Sequence, residues 1–314
     1  MYVFTYSRTA QNFCKHFPPR RRDAHKYNFG RVLSICGSER FPGAAVLAAR
    51  AAVFSGAGVV RAAFPRAAYA AIAPQLTEPI LFPLPGNTQG QLAKGALEEL
   101  LSACEKSDAV LLGCGLGQSL DTAAIVPELT EKCPAPLILD ADALNLLVGK
   151  LNLLRARSAP TILTPHAGEF ARLQAGVSTL SDPRSMSAER DSVRLHAAHR
   201  FAAEYGVTLV LKGAGTLVAH CGSPAVYRNK TGNPAMATAG SGDMLAGIML
   251  GFWGQGLPAR TAAECAVFVH GLCGDLAVAD SVIAARSLTP SYMLDRLPHV
   301  LAEQEQLFRH LAEL

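Results

Sequence analysis

A glycine-rich segment at residues 233–247 contains the side chain best suited to chemistry, the carboxylate of Asp243. It follows Gly240, Ser241 and Gly242, and a uniformly apolar run begins directly after it. The pattern predicts a loop that becomes the first turn of a buried helix, where free N–H groups and the helix dipole bind phosphate. Because a carboxylate repels phosphate, Asp243 is better suited to take a proton from an attacking hydroxyl group than to bind the anion. An ordinary helix cap is the simpler alternative, and the flanking residues favour the catalytic role.

Two further acids, Asp140 and Asp142, follow the apolar run 137–139, and Asn145 comes shortly after them. In one interpretation they form an N-cap and a first-turn acid that stabilise the next helix. In the other, one carboxylate reaches the ligand or a Mg²⁺ ion bound to a nucleotide, because hard cations prefer oxygen ligands. The residues themselves do not decide between these interpretations.

His166 lies in a Pro/Gly loop that runs from Thr164 to Glu169, directly after another predicted strand. Binding residues concentrate in such loops, so we predict a substrate contact rather than a structural histidine. Lys212 begins a second polar segment, which contains two glycines and ends at Thr216. Its ammonium, backbone and hydroxyl groups suit the phosphates or ribose of a nucleotide, although a solvated strand end is the alternative.

Residues 113–117 read Gly-Cys-Gly-Leu-Gly and form another glycine loop after a predicted strand. The spacing departs from the G-x-G-x-x-G of dinucleotide folds, which disfavours hydride transfer. Cys114 has no base nearby in a recognisable motif, so we do not expect a nucleophile there. His196 and His199 share a helix face but lack further ligands, and the sequence therefore indicates no protein metal site.

Short apolar runs alternate with helical patterns along the chain. Predicted strands cover residues 32–36, 59–63, 109–113, 137–140, 161–164 and 208–211, with a late hairpin at 217–219 and 225–227. Predicted helices cover residues 43–55, 92–104, 142–148, 188–204, 243–254, 259–279 and about 291–314. This alternation predicts βαβ crossovers and an α/β fold with a mostly parallel central sheet and helices on both faces. Ligands bind beyond the carboxyl ends of such strands, so the polar segments should converge on one crevice.

Composition excludes several classes of protein. The 314 residues carry a net charge of only +4, with no basic stripe among aromatics, so nucleic-acid binding is not expected. No segment is expected to span a membrane. None of the eight cysteines forms a C-x-x-C pair, which favours the reducing cytoplasm over a secreted disulfide framework. Residues 1–24 are predicted to be a disordered leader, with a transit-like presequence as the alternative, and residues 25–314 a single domain.

The order and spacing of these segments resemble the ADP/ATP-dependent NAD(P)H-hydrate dehydratase family, which belongs to the ribokinase-like superfamily. The resemblance extends over nearly the whole chain and rests on residues 37–38, 42–45, 113–117, 139–145, 163–169, 211–216, 233–247 and 270–275. The chain departs from the family where Cys114 and Ala167 stand in place of prolines, and where Tyr27 and Asn28 interrupt the usual entry to the domain. These departures affect loop rigidity rather than a proposed catalytic group.

The resemblance implies a three-layer ribokinase-like fold and a repair reaction on the S form of hydrated NADH or NADPH. Asp243 would take the proton from the hydroxyl on carbon 6 of the nicotinamide ring as that oxygen attacks the terminal phosphate of ADP or ATP. Backbone amides of residues 239–242 would stabilise the transferred phosphoryl group. The phosphate would then leave, restoring NAD(P)H and releasing AMP or ADP.

The resemblance also implies which residues contact the substrates. The hydrate is expected against Ala44, Gly115, Gly117, His166 and Asp243. The nucleotide is expected against Lys212, Gly213, Ala214, Gly215, Thr216, Gly240, Ser241 and Gly242. Mg²⁺ would bridge the nucleotide phosphates rather than occupy a protein site. A homo-oligomer, expected to be a tetramer, is also implied, while the choices of ADP or ATP and of NADH or NADPH hydrate stay open.

Two other functions are alternatives. A small-molecule kinase of the same fold, such as a vitamin-precursor kinase, would share the anion site before Asp243. A non-catalytic nucleotide sensor is less well supported, because a site that only binds phosphate gains nothing from a neighbouring carboxylate. The segments 140–145 and 164–169 favour the dehydratase over the kinase, and they do so through resemblance rather than through physical chemistry.

Overall fold

A nine-stranded sheet forms the centre of the protein. The computed structural model describes residue 17 and residues 20–174, 188–279 and 283–312. The strands are β1 (Arg31–Ile35), β2 (Val59–Pro65), β3 (Ile80–Leu84), β4 (Ala109–Leu112), β5 (Leu137–Leu139), β6 (Thr161–Leu163), β7 (Thr208–Leu211), β8 (Leu217–His220) and β9 (Tyr227–Arg228).

Strands β1 to β7 are parallel and lie in the order β3-β2-β1-β4-β5-β6-β7, while β8 and β9 extend the sheet antiparallel. The chain winds from β1 to one edge and then returns to the other side of β1 as β4. The strand order therefore reverses between β1 and β4, which is where open α/β sheets bind ligands. The predicted mostly parallel sheet is confirmed.

Helices cover the sheet on both faces. The described residues form α1 (Pro42–Phe54), α2 (Tyr69–Ile72), α3 (Leu97–Glu105), α4 (Leu120–Lys132), α5 (Asp142–Leu146), α6 (Asn152–Ala156), α7 (Ala167–Gln174), α8 (Ala188–Tyr205), α9 (Ser241–Gly254), α10 (Ala259–Ala279) and α11 (Pro290–Ala312). Val32 of β1 faces one core with α1, α9, α10 and α11, whereas Leu33 faces a second core with α3, α4 and α8. Burial on both faces explains why the parallel strands are nearly continuous in apolar residues.

The sequence did not predict the edge strand β3 or the helix α4. Pro83 lies within β3, and proline disfavours a strand because it lacks the N–H group of the ladder. At the edge of the sheet that donor is not needed, and Pro83 pairs in register with Phe64. Pro127 lies inside α4 and weakened its helical pattern. The predicted helix 92–104 is also shorter, because α3 begins only at residue 97.

Helix α10 corrects the expectation that no segment is long and apolar enough to span a membrane. By length and composition alone, α10 passes that test. However, 72% of its 18-residue apolar window is buried inside the protein, between neighbouring helices α9 and α11. The burial identifies α10 as a core helix.

Glycines allow α9 to approach α1 very closely. A Cβ atom at Gly251 would lie only 2.8 Å from the carbonyl oxygen of Ala52, and one at Gly247 would overlap the carbonyl oxygen of Ala48. One at Gly254 would overlap the side chain of Val32 in β1. The glycine face of α9 therefore packs backbone to backbone, which fixes the helix against α1 and the sheet.

Two residues of the predicted leader contact the domain. The ring of Phe17 packs edge-on against Phe252, with 4.8 Å between the centroids. The Arg20 guanidinium donates a 2.6 Å hydrogen bond to the carbonyl oxygen of Gly56 and lies over the ring of Phe29. Residues 1–16, 18 and 19, on which the rest of that prediction depends, lie outside the described residues.

Candidate active site

The polar segments singled out in the sequence lie at one edge of the sheet. Each begins within two residues of the carboxyl end of a strand in the parallel array β1-β4-β5-β6-β7: Gly37, Gly113, Asp140, Thr164 and Lys212. Parallel neighbours end at the same edge, so the loops that carry these residues converge.

Asp243 lies in the first turn of α9, which begins at Ser241. The preceding Gly240 has φ of 90°, a left-handed conformation that favours glycine and turns the chain into the helix. In this first turn the amide groups of Gly242 and Asp243 have no intrahelical acceptor. Burial is the main cause that raises the pKa of Asp243 to about 6, and the negative charge of Asp140 adds to the effect. The carboxylate is therefore suited to accept a proton near neutral pH.

Lys212 and Asp140 form an ion pair beside this helix terminus. The Lys212 Nζ atom donates a 2.7 Å hydrogen bond to Asp140 Oδ1, and only 18% and 2% of the two side chains are exposed. A Cβ atom at Gly242 would lie 3.3 Å from Nζ, so the ammonium group adjoins the first turn of α9. Burial opposes the charge on Lys212, but Asp140 and neighbouring carboxylates outweigh it and raise the pKa. A fixed positive charge thus lies next to the helix N-terminus, an arrangement that suits phosphate.

Glu169 connects His166 to this lysine. Its Oε1 atom lies 3.4 Å from Nε2 of His166, and its Oε2 atom lies 4.0 Å from Nζ of Lys212. The Gly168 amide donates to Nδ1 of His166 at 3.0 Å, which assigns the ring proton to Nε2 in the neutral imidazole. More than half of the His166 side chain, 54%, is exposed, so the ring is accessible to a ligand. The sequence analysis assigned no role to the Glu169 side chain.

The loops after β1 and β4 are joined where the strand order reverses. The Ser38 hydroxyl donates a 2.8 Å hydrogen bond to the Gly115 carbonyl, and the Gly37 amide donates to the Cys114 carbonyl at 2.7 Å. A Cβ atom at Gly115 would lie 2.7 Å from that of Ala44. The structure therefore brings Ala44 and Gly115, two of the predicted substrate contacts, next to each other.

Gly117 belongs to the same loop and is held by Asp142. The Gly117 amide donates to Asp142 Oδ2 at 2.8 Å, and Gln118 Nε2 donates to Oδ1 at 2.8 Å. Asp140 turns instead towards Lys212. The N-cap of α5 is Ala141, so neither acid is the N-cap, whereas Asp142 does lie in the first turn of the helix, as that interpretation expected.

Cys114, Asp140 and Asp243 place one donor atom each within 4.8 Å of one another. The hydrogen bond that the Cys114 thiol makes with Cys36, and burial, raise the pKa of Cys114. The thiol therefore stays protonated and donates to Asp140 Oδ2 at 3.5 Å. Such a group could hold a divalent cation, with the carboxylate oxygens as the harder ligands. The sequence did not predict this cluster, because its three members lie far apart in the chain.

The predicted nucleotide segment forms a closed turn after β7. The Gly213 amide donates to the Thr216 hydroxyl at 3.3 Å, and that hydroxyl donates back to the Gly213 carbonyl at 3.0 Å. Cβ atoms at Gly213 and Gly215 would lie 3.3 Å from Arg194 Nη2 and 2.9 Å from Arg228 Nε. Both arginines, which sequence analysis missed, add positive potential beside this turn.

Helix α10 holds the loop that leads to α9. Asp275 accepts hydrogen bonds from the Gly232 amide at 2.8 Å and from Asn233 Nδ2 at 3.0 Å. His270 lies with Nε2 3.2 Å from the Ser241 hydroxyl. Burial lowers the pKa of His270 to about 4, so this imidazole is neutral at physiological pH. These contacts fix the entry to the helix that carries Asp243.

Comparison with known proteins gives consistent matches. A family model described as NAD(P)H-hydrate dehydratase matches residues 32–299. The ADP-dependent (S)-NAD(P)H-hydrate dehydratase of Xanthomonas campestris is 36% identical over 276 residues, which cover 86% of this chain and 89% of that protein. The bifunctional NAD(P)H-hydrate repair enzyme Nnr of Moorella thermoacetica is 39% identical over 295 residues, 94% of this chain. The chain spans about half the length of such bifunctional relatives, 53% in that case.

Solved structures show the same relationship. The ADP/ATP-dependent NAD(P)H-hydrate dehydratase of Bacillus subtilis, co-crystallised with ATP and Mg²⁺, superposes with a TM-score of 0.73 at 29% identity, covering 94% of this chain and 97% of that one. A ribokinase-like superfamily protein of Enterococcus faecalis gives a TM-score of 0.75 at 26% identity, covering 97% of this chain and 100% of that one. The expected three-layer ribokinase-like fold is confirmed.

Proposed function

Because the chain belongs to the NAD(P)H-hydrate dehydratase family, we propose that it dehydrates the S form of hydrated NADH or NADPH at the expense of ADP or ATP. The products are NADH or NADPH, phosphate, and AMP or ADP. The observation that carries the proposal is the half-buried Asp243 carboxylate in the first turn of α9, with the Lys212–Asp140 ion pair beside it. A proton acceptor and a phosphate-binding terminus thus share one turn of helix.

The nucleotide binds between the turn after β7 and the start of α9. Lys212 and the amides of Gly240, Ser241 and Gly242 hold the phosphates, while Gly213, Ala214, Gly215 and Thr216 line the approach to them. The proposal is supported by the 3.3 Å separation between Lys212 Nζ and the Cβ position of Gly242. Mg²⁺ carried on the phosphates would offset their charge, and the clustered oxygens of Asp140 and Asp243 could approach it.

The hydrate binds at the reversal point between β1 and β4. Ala44, Gly115 and Gly117 border this part of the site, and the absence of a Cβ atom at Gly115 lets its loop lie directly against Ala44. His166 contacts the hydrate from the next strand ends. Its side chain is 54% exposed, so the ring can contact a substrate while its Nε2–H group lies beside Glu169 Oε1.

The geometry supports a phosphorylation that is followed by elimination. Asp243 takes the proton from the carbon-6 hydroxyl as its oxygen attacks the terminal phosphorus of the nucleotide. Lys212 and the first-turn amides stabilise the negative charge of the transferred group. The lone pair of the ring nitrogen then expels phosphate from carbon 6. Loss of a proton from carbon 5 completes the ring of the reduced nicotinamide.

The test compares wild type with Asp243→Asn, using Asp295→Asn on the exposed face of α11 as the matched control. With hydrated NADH, Mg²⁺ and either ADP or ATP, wild type and control should release phosphate as the absorbance of reduced nicotinamide rises. Asp243→Asn should bind nucleotide in a calorimeter but not turn over. Full activity of Asp243→Asn would refute the general-base role, and a phosphorylated product that persists would establish the kinase alternative.

Assembly, domain extent and location are part of the same proposal. A homotetramer is supported by exposed apolar side chains such as Ile80 on the edge strand β3, 55% exposed. A single domain over residues 25–314 is supported by the one sheet that spans residues 31–228. Cytoplasmic location is supported by the described cysteines, among which no disulfide bond forms. Light scattering of the purified protein tests the tetramer, and microscopy of a tagged chain tests the cytoplasmic location.

A further inference from the structure

The backbone between the two site acids adopts a conformation that most residues avoid. Ala141 has φ of 50° and ψ of −115°, and it is the one non-glycine residue with positive φ in the part of the chain that the structure describes. The Ala143 amide donates to the Asp140 carbonyl at 3.1 Å and closes a tight turn around it. These angles match the first central position of a type II′ turn, which glycine normally occupies because a Cβ atom is strained there.

The strained turn separates two carboxylates that are only two positions apart. Asp140 is directed to Lys212 Nζ at 2.7 Å, on the side of the predicted phosphates. Asp142 is directed to the Gly117 amide at 2.8 Å, on the side of the predicted hydrate. The turn is also clamped from outside, because a Cβ atom at Gly113 would overlap the Asp140 carbonyl oxygen.

The Ala141 methyl group has no packing role that accounts for the strain. Ala141 is partly exposed and does not belong to either hydrophobic core. A Cβ atom does, however, reduce the number of backbone conformations open to a residue, and glycine would restore them. Alanine at this position costs stability and limits rotation of the peptide groups that aim the two carboxylates.

We propose that Ala141 is a positioning residue. Its strained turn fixes the directions of the Asp140 and Asp142 carboxylates, and so fixes Lys212 and the loop of Gly117 relative to Asp243. For its catalytic consequence the proposal rests on the function proposed above. The proposal predicts that Ala141→Gly relieves the backbone strain and at the same time frees the two carboxylates to change direction. Stability should rise while turnover falls, whereas an ordinary structural residue would lower both.

The experiment compares Ala141→Gly with Gly206→Ala. Gly206 has φ of 69° and open space around a Cβ position, so its variant creates similar strain away from the site. For Ala141→Gly we expect a higher Tm, a kcat about tenfold lower and a KM for each substrate within about threefold of wild type. For Gly206→Ala we expect a lower Tm and an unchanged kcat.

A second measurement does not depend on turnover. Hydrogen exchange of the Gly117 amide, which reports its bond to Asp142, should become about tenfold faster in Ala141→Gly and stay unchanged in Gly206→Ala. If wild type shows no dehydratase activity, the proposed function fails, and the exchange rate still decides the positioning role. Unchanged exchange, a kcat within about twofold of wild type, or a joint fall of Tm and kcat in Ala141→Gly would each overturn the inference.

Discussion

The Nζ atom of Lys212 lies 2.7 Å from Oδ1 of Asp140, and these residues are 72 positions apart in the chain. Their strands, β7 and β5, are separated only by β6, so the pair links the ends of three neighbouring strands. The pair also adjoins the first turn of α9 through Gly242. A single ion pair therefore joins the sheet edge to the helix that carries the proposed catalytic base.

Removing the lysine charge should destabilise the fold strongly. Lys212→Met keeps most of the side-chain volume but leaves the 2% exposed Asp140 carboxylate without its partner, at a cost of about 3 kcal/mol in the free energy of unfolding. The double variant Lys212→Met/Asp140→Asn should recover much of that loss. Urea denaturation of both variants and of Asp140→Asn completes the cycle. An additive cycle would show that the two charges do not interact.

The pH dependence of turnover should follow Asp243. Because its pKa is raised to about 6, the carboxylate is protonated below that pH and cannot act as a base, so kcat/KM should fall as pH drops through 6. Asp140→Asn removes a neighbouring negative charge that favours protonation, and the acid limb should therefore move to lower pH. The recovery of reduced nicotinamide, followed across pH, measures the limb. A limb that stays in place in Asp140→Asn would contradict the electrostatic coupling.

Glu169→Gln tests the connection between His166 and Lys212. The Glu169 carboxylate accepts a 2.8 Å hydrogen bond from the His166 amide and lies near the side chains of His166 and Lys212. Loss of the carboxylate charge should therefore make the position of the His166 ring less fixed. We expect KM for the hydrate to rise about tenfold with a smaller change in kcat, because the contact acts on binding. Glu128→Gln, on the exposed surface of α4, is the matched control and should behave as wild type. An unchanged KM in Glu169→Gln would show that the Glu169 charge does not hold His166 in place for the hydrate.

His270 should make the protein sensitive to mild acid. Its folded pKa of about 4 lies below the unfolded value of 6.5, so the unfolded chain binds the proton first. The stability that neutral His270 contributes is complete above pH 6.5 and is lost as pH falls towards 4, by about 3 kcal/mol in total. The free energy of unfolding, measured against pH, should not show this loss in His270→Gln. His299→Gln, exposed on α11, should retain it.

The pattern of apolar residues along the sequence predicted the buried strands and helices. The runs at 32–36 and 208–211 match β1 and β7 because strands covered on both faces are apolar throughout. The sequence did not predict the edge strand β3, because it contains Pro83 and proline is unfavourable in a strand. Proline is acceptable only at a sheet edge, where no neighbouring strand needs an N–H donor at that position. That information lies in the sheet order, which the sequence pattern does not contain.

In the candidate site too, the sequence pattern predicted some features, and others depend on the three-dimensional arrangement. Strand-end positions predicted Asp140, His166 and Lys212 as a group, because parallel strands end at one edge. The sequence could not show which carboxylate pairs with the lysine, since that depends on the turn at Ala141, where local preference would favour glycine. The roles of the site residues remain predictions for the variants above to test.

The backbone-to-backbone packing of α9 on α1 has a consequence for how variants of this protein are interpreted. Gly251 lies more than two helical turns from Asp243 and belongs to neither predicted substrate surface. A methyl group there would nevertheless press on the Ala52 carbonyl and shift the whole helix, carrying the Asp243 carboxylate away from the proposed nucleotide site. A genetic screen would therefore score Gly251→Ala as a loss of catalysis, although the altered residue lies more than two turns along the helix from Asp243.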